Sequence, residues 1–219
     1  MFRTVSIIVL VISFGAVAAH AMLAAYPWRR RWWRPVEILR KLVYLLTLLF
    51  LEQRLSLLGR LKKLVYLAAL LCFVVLGVTG FYPRLVSGEE LSGYLLMVHV
   101  TAGGAFAVCV AILALCRAQG NCFNRSDWPW LAGLCRREPV ASDSVWPGFG
   151  LCVKICFWLI LLIALPVFMS VVLSMLPLFG TEWQGYLAET HRYSVLAFVV
   201  IAVVHTYLTI RTGCSDKAD

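Results

Sequence analysis

Five long apolar stretches dictate what this chain can fold into. Residues 4–26, 64–82, 91–115, 151–176 and 186–210 are each poor in charge and, as helix, long enough to cross a hydrocarbon core about 30 Å thick. A sixth apolar run, 42–51, has only about ten residues between Arg40 and Lys41 on one side and Arg54 and Arg60 on the other, so it reads as interfacial or connecting. With 62% apolar and 14% charged residues, 219 residues do not make a soluble domain. The expected fold is all-α, an integral membrane helical bundle of five transmembrane helices. It divides into an N-terminal helix (1–27), a basic amphipathic segment at the membrane surface (28–59), a four-helix core (60–211) and a short tail (212–219).

The net charge of +9 is not a nucleic-acid signal, because the basic residues gather on one membrane face. If residues 28–63, 116–154 and the tail share a side, only Arg3, Arg84 and Arg192 of the 20 Lys and Arg lie opposite. The positive-inside rule then puts the N-terminus outside and the C-terminus inside, as five spans require. A sixth span would carry Arg54, Arg60, Lys62 and Lys63 outward and break this asymmetry.

The last apolar helix, about 183–211, contains His191 and His205. Fourteen residues apart, they fall within roughly 40° of one face and about 21 Å apart along the axis. That is the spacing of two stacked haems, one near each membrane surface, each bound by one histidine from this helix and one from a neighbour. A histidine inside a membrane also serves simply to hydrogen-bond a neighbouring helix. His99 in the third helix and His191 each lie about eight residues from the outer surface, equal in depth as an axial pair must be. His20 lies about nine residues before the arginines that begin at Arg29, and His205 six before Arg211, so these two match in depth on the inner side.

Several features admit two readings. Ala19-His20-Ala21 fits the small-residue pattern of a signal-peptide cleavage site, but Arg29, Arg30, Arg31 and Arg34 beyond it would then have to be translocated, which favours a retained helix. Trp28, Trp32 and Trp33 among arginines form a collar that anchors the chain at the surface or docks a cytoplasmic subunit. The second helix is expected to open after Lys62 and Lys63 and to end around Gly77, Gly80 and Pro83. Gly103, one turn beyond His99, leaves room for a porphyrin face. The 117–150 loop reads as an ordered cytoplasmic cap. The fourth helix, kinked by Pro166, reads as packing. None of the eight cysteines forms CxxC or CxxCH, so neither a covalent haem nor a zinc ribbon is encoded, and free thiols are expected.

Lys62-Lys63-Leu-Val-Tyr leading to Thr79-Gly80, His99 with Gly103, Lys154 before Phe157-Trp158, and His191-Arg192 with His205-Thr-Tyr207 together resemble the gamma-subunit family of formate dehydrogenases and related dihaem b-type cytochromes. The likeness covers about 60–211. It implies two haem b groups, the outer held by His99 and His191. The inner uses His205 and a histidine whose position here is Val65 or Tyr66, so the family's partner is missing; His20 is the expected replacement, and a single haem or a five-coordinate inner haem is the rival. The family's Asn-x-Gly-Gln-Lys signature near its quinone site stands here as Gly150-Leu-Cys-Val-Lys154, with only the lysine kept.

The resemblance implies a multi-pass subunit of the bacterial inner membrane, passing electrons between quinone and a periplasmic iron-sulfur or multihaem c-type partner. Arg192 and Arg84 outside, and Arg211 with the arginine collar inside, are the cations for haem propionates; topology signalling explains them equally well. Lys154, Thr206, Tyr207 and Thr209 are the polar groups for a quinone pocket near the inner haem. With no dinucleotide fingerprint and no P-loop, substrate oxidation belongs to another subunit. Two other classes use the same residues: a haem-free membrane anchor, and a small proton-coupled transporter with the histidines as relay.

Overall fold

The computed structural model describes residues 2–23, 57–128, 148–176 and 180–215. Among them there are no strands, and the helices are α1 (Phe2–Leu23), α2 (Leu57–Tyr82), α3 (Gly93–Ala118), α4 (Gly148–Met175) and α5 (Thr181–Ser215). Each contains a window long and apolar enough to cross a membrane. The chain is therefore an all-α, multi-pass membrane protein. Val11, Leu71 and Leu162 stand well exposed, an arrangement that costs free energy in water and none against lipid tails. The arginine and tryptophan collar and the 42–51 run lie outside the described residues, as do Trp130, Cys135 and Pro147.

The chain divides into two compact units. The first holds the start of α1 with everything from Arg117 onward. In it α4 packs along α5, burying Leu151, Phe157 and Ala164 of the former and Leu196, Phe198 and Leu208 of the latter. The Phe2 ring meets Tyr193 edge to face, with centroids 5.3 Å apart. Beyond α3, two short 3₁₀ turns (Gln119–Asn121 and Arg125–Asp127) connect toward α4. A reciprocal capping box between Asn124 and Asp127 closes the second.

The second unit, Gly15–Cys116, holds the rest of α1 with α2 and α3. Phe73 and Phe106 meet at 6.1 Å, and Ala69, Thr79, Pro83 and Phe106 are buried among its described residues. Here α2 starts earlier than expected and ends at the expected residue before Pro83. It begins at Leu57, before the lysine pair, and runs on through Gly77 and Gly80 to Tyr82. Glycine keeps its backbone N–H, so an apolar segment with no competing water holds the helical ladder across it. Pro83, lacking that N–H, opens a widened π turn over Pro83–Ser87, and Gly88 ends it at φ +75°, a conformation suited to glycine. In α4 the helix runs from Gly148 to Met175 with Pro166 inside it.

Candidate functional site

Three of the four histidines sit within helices that hold their rings against a neighbouring helix. In the second unit, Nδ1 of His99 lies 2.8 Å from Oγ1 of Thr79, across from α3 to α2. The same hydroxyl donates to the Val75 carbonyl at 2.7 Å, one turn back on its own helix. A hydroxyl has one hydrogen, so Thr79 accepts from the imidazole and His99 carries its proton on Nδ1. The neutral ring then has its lone pair on Nε2. Gly80 completes the contact: a Cβ there would stand 3.1 Å from Cε1 of His99, so the ring would have to give by a few tenths of an ångström for any other residue. Gly103, the glycine singled out from sequence, has no such crowding, for its Cβ would meet only Leu76 Cδ2 at 3.8 Å.

In the first unit His191 reaches the same state by a different route. Its Nδ1 lies 3.1 Å from the Val167 carbonyl and 3.3 Å from Oγ of Ser170. The carbonyl only accepts, and the Ser170 hydrogen is directed at that same carbonyl at 2.9 Å, so the ring is the donor to both. Again the lone pair falls on Nε2. Ligating histidines in metalloproteins characteristically donate from the far nitrogen to a carbonyl or other acceptor, which fixes ring orientation and strengthens the donor atom. The donor chemistry at His99 and His191 therefore fits axial ligation of iron.

His205 is set differently. Its ring hydrogen-bonds the Val153 backbone of α4, and its Nδ1 is buried with no hydrogen-bond partner among the described residues. An orphaned nitrogen inside a helix pair is costly unless something meets it. From sequence α4 is packing alone; in the structure it faces both α5 histidines, through Val153, Val167 and Ser170. His20 is exposed, in the last turn of α1.

The charged candidates are each engaged. Arg192 pairs with Glu189 at 2.7 Å and Arg84 with Glu90 at 3.5 Å. Both are surface pairs, worth about 0–1 kcal/mol and easily exchanged for another anion. The Arg211 side chain lies outside the described residues. Lys154 donates to Oδ2 of Asp127 at 2.7 Å, with the side chains 17% and 15% exposed. Asp127 also accepts from the Asn124 N–H, and Lys154 first and this N–H second hold its carboxyl below the usual carboxylate range. Trp158 Nε1 donates to the Asn121 carbonyl at 2.9 Å, a second tie between α4 and the turns after α3. Of the other quinone candidates, Thr206 and Thr209 donate to carbonyls of their own helix, Ala202 and His205, and Tyr207 is half-buried.

Cys72, Cys109, Cys116, Cys122, Cys152 and Cys156 are free thiols. Among the described residues no three His, Cys, Asp or Glu side chains gather as a metal-ion cage. A porphyrin makes no such demand, since it brings four nitrogens and takes one side chain from each face. Residue type does not single out Ser170, and in the sequence Thr79 and Gly80 stand out only within the resemblance and, for Gly80, as a small residue at a helix end. No protein-family model, curated protein or solved structure matches the chain.

Proposed function

We propose that the chain is the b-type cytochrome subunit of a respiratory complex in the bacterial cytoplasmic membrane, with its N-terminus outside and its C-terminus inside. It would move electrons between a periplasmic iron-sulfur or multihaem c-type partner and quinone. The observation that carries this reading is that His99 and His191, in separate units, both donate from Nδ1, one to a hydroxyl and the other to a carbonyl. An axial ligand needs a ring orientation and tautomer fixed by the far nitrogen, and both histidines have that arrangement. His99 and His191 are the proposed axial ligands of an outer haem, His205 and His20 those of an inner one, paired by their depth in the sequence. When bound, haem b supplies one-electron exchange with little ligand rearrangement. The chain supplies the ligands, a dry apolar surround, and arginines for the propionates.

One observation favours a chain with a single haem. His205 turns a ring nitrogen to the Val153 backbone and keeps Nδ1 unpartnered, the reverse of the arrangement at His99 and His191. Reduced-minus-oxidised spectra with pyridine haemochrome quantitation, on the full chain purified with its complex in detergent, decide the matter. Two b haems in wild type, falling to one in His20→Ala, support the full reading. Two haems in both proteins retain electron transfer and require another ligand opposite His205. One haem in wild type selects the single-haem form. No haem discards the electron-transfer reading and leaves an anchor or a transporter.

A further inference from the structure

We propose that Thr79 is the positioning residue of His99: its oxygen holds the imidazole proton on Nδ1 and so makes Nε2 the electron-pair donor of that ring. The grounds are stoichiometric. Thr79 Oγ1 lies 2.7 Å from the Val75 carbonyl and 3.4 Å from the Leu76 carbonyl, two groups that hold no hydrogen. The single hydroxyl hydrogen is engaged there. The 2.8 Å approach of His99 Nδ1 to the same oxygen is a hydrogen bond only if the ring supplies the proton. Reversing it would strip the Val75 contact and leave two acceptors facing one oxygen.

The surroundings reinforce this. Thr79 is 6% exposed, so no bulk water competes for its lone pairs. The result is a relay in which the imidazole N–H donates to the hydroxyl and the hydroxyl to a carbonyl, and each bond polarises the next. Electron density is pushed toward Nε2, which strengthens it as a ligand and stabilises the oxidised state of a bound metal. Gly80, the adjacent residue, is what lets the ring approach. At His191 the corresponding relay through Ser170 is the weaker contact. The main acceptor of that ring, at 3.1 Å, is a backbone carbonyl, with the Ser170 oxygen further away at 3.3 Å. Side-chain substitution can therefore remove the acceptor at His99 but not the carbonyl at His191.

The assignment concerns His99 itself and rests on the haem reading only for its electrochemical arm. The full chain, labelled with ¹⁵N-histidine and reconstituted in lipid, is compared as wild type, Thr79→Val and Thr79→Ser, with His99 signals assigned by their loss in His99→Gln. Wild type and Thr79→Ser are expected to carry the proton on Nδ1. Thr79→Val keeps the side-chain shape, removes the acceptor, and is expected to shift the tautomer ratio toward Nε2–H by up to roughly tenfold, the worth of one hydrogen bond. Helix content and the unchanged His191 signal report folding, and Thr79→Ala makes the same comparison if the valine variant does not fold. An unchanged Nδ1–H signal without the hydroxyl overturns the assignment.

In haem-loaded protein, Thr79→Val is expected to raise the reduction equilibrium constant of one haem about tenfold, or about 59 mV for a one-electron couple, with Thr79→Ser restoring it. The two failures are distinct. Wild type without haem but with the tautomer shift defeats the haem reading and upholds Thr79. Haem present, with neither tautomer nor potential altered, upholds the haem reading and defeats Thr79.

Discussion

The imidazole of His191 donates from Nδ1 to the backbone carbonyl of Val167, 3.1 Å away on the preceding helix. A main-chain acceptor is indifferent to side-chain replacement, so this histidine keeps its orientation whatever stands at Ser170, which lies 3.3 Å from the same nitrogen. The fourth helix thus orients the last one by its backbone.

In the proposed cytochrome, Ser170→Ala should accordingly retain the outer haem and its spectrum, while His191→Ala should lose it. The cost of Ser170→Ala is the loss of a weak shared hydrogen bond, about 1 kcal/mol or less in unfolding free energy. Haem quantitation and denaturant titration of the two variants check this. Loss of haem in Ser170→Ala would mean that the hydroxyl, not the carbonyl, holds the ring.

Two glycines of the same unit should respond in opposite ways to an added methyl. Gly80→Ala places a Cβ 3.1 Å from His99 Cε1, closer than an ordinary carbon contact, so the ring must move by a few tenths of an ångström. With His99 as the proposed axial ligand, misplacing it should lower haem occupancy or shift the potential of one haem. Gly103→Ala meets Leu76 Cδ2 at 3.8 Å, an ordinary van der Waals distance, and should leave occupancy and potential near wild type. Equal effects at both positions would remove Gly80 from the site.

The five spans are legible in the sequence because lipid forbids unsatisfied backbone, and only long apolar runs answer that demand. Helix ends are less legible. Gly77 and Gly80 punctuate chains in water, yet α2 continues through both to Tyr82, where Pro83 opens the π turn that Gly88 ends. His99, His191 and His205 stand out because charge-capable side chains are rare in such runs. Their partners do not stand out. Thr79 and Ser170 are single hydroxyls 20 and 21 residues from the histidines they face, and no periodicity links such pairs. Val167 and Val153 act through their backbone, where residue type carries no signal at all.

Lys154 and Asp127 should show a stability role separable from any quinone role. The pair is part-buried, at 17% and 15% side-chain exposure, so Lys154→Ala leaves a carboxylate without its partner and should destabilise the unit by about 1–2 kcal/mol. The Asp127 carboxyl sits below its ordinary value of 3.8, chiefly through Lys154. A depressed folded-state pKa stabilises above the unfolded value and loses that contribution as pH falls through the folded one. Stability should therefore be flat in this respect above about pH 5 and fall below about pH 4. In Asp127→Asn that acid-side loss should be smaller. Thermal unfolding of both variants in detergent between pH 3 and pH 7 would reveal it; an unaltered acid limb in Asp127→Asn would remove the pair from the stability of this unit.

Ser6 offers a test in which a substitution should strengthen the protein. It is completely buried, and its Oγ has no hydrogen-bond partner among the described residues. One turn away, Phe2 packs on Tyr193 of α5, so a small side chain at Ser6 suits close packing of the first helix in its unit. An unsatisfied buried hydroxyl costs about 1–3 kcal/mol, so Ser6→Ala, which keeps the small volume, should raise the unfolding midpoint. Ser6→Leu inserts several carbons where none fit and should lower stability by about 1–3 kcal/mol. Were the hydroxyl instead held by a group that joins this site in the assembled complex, Ser6→Ala would lower the midpoint there. Measuring the variant both alone and in its complex therefore distinguishes a packing serine from a binding one.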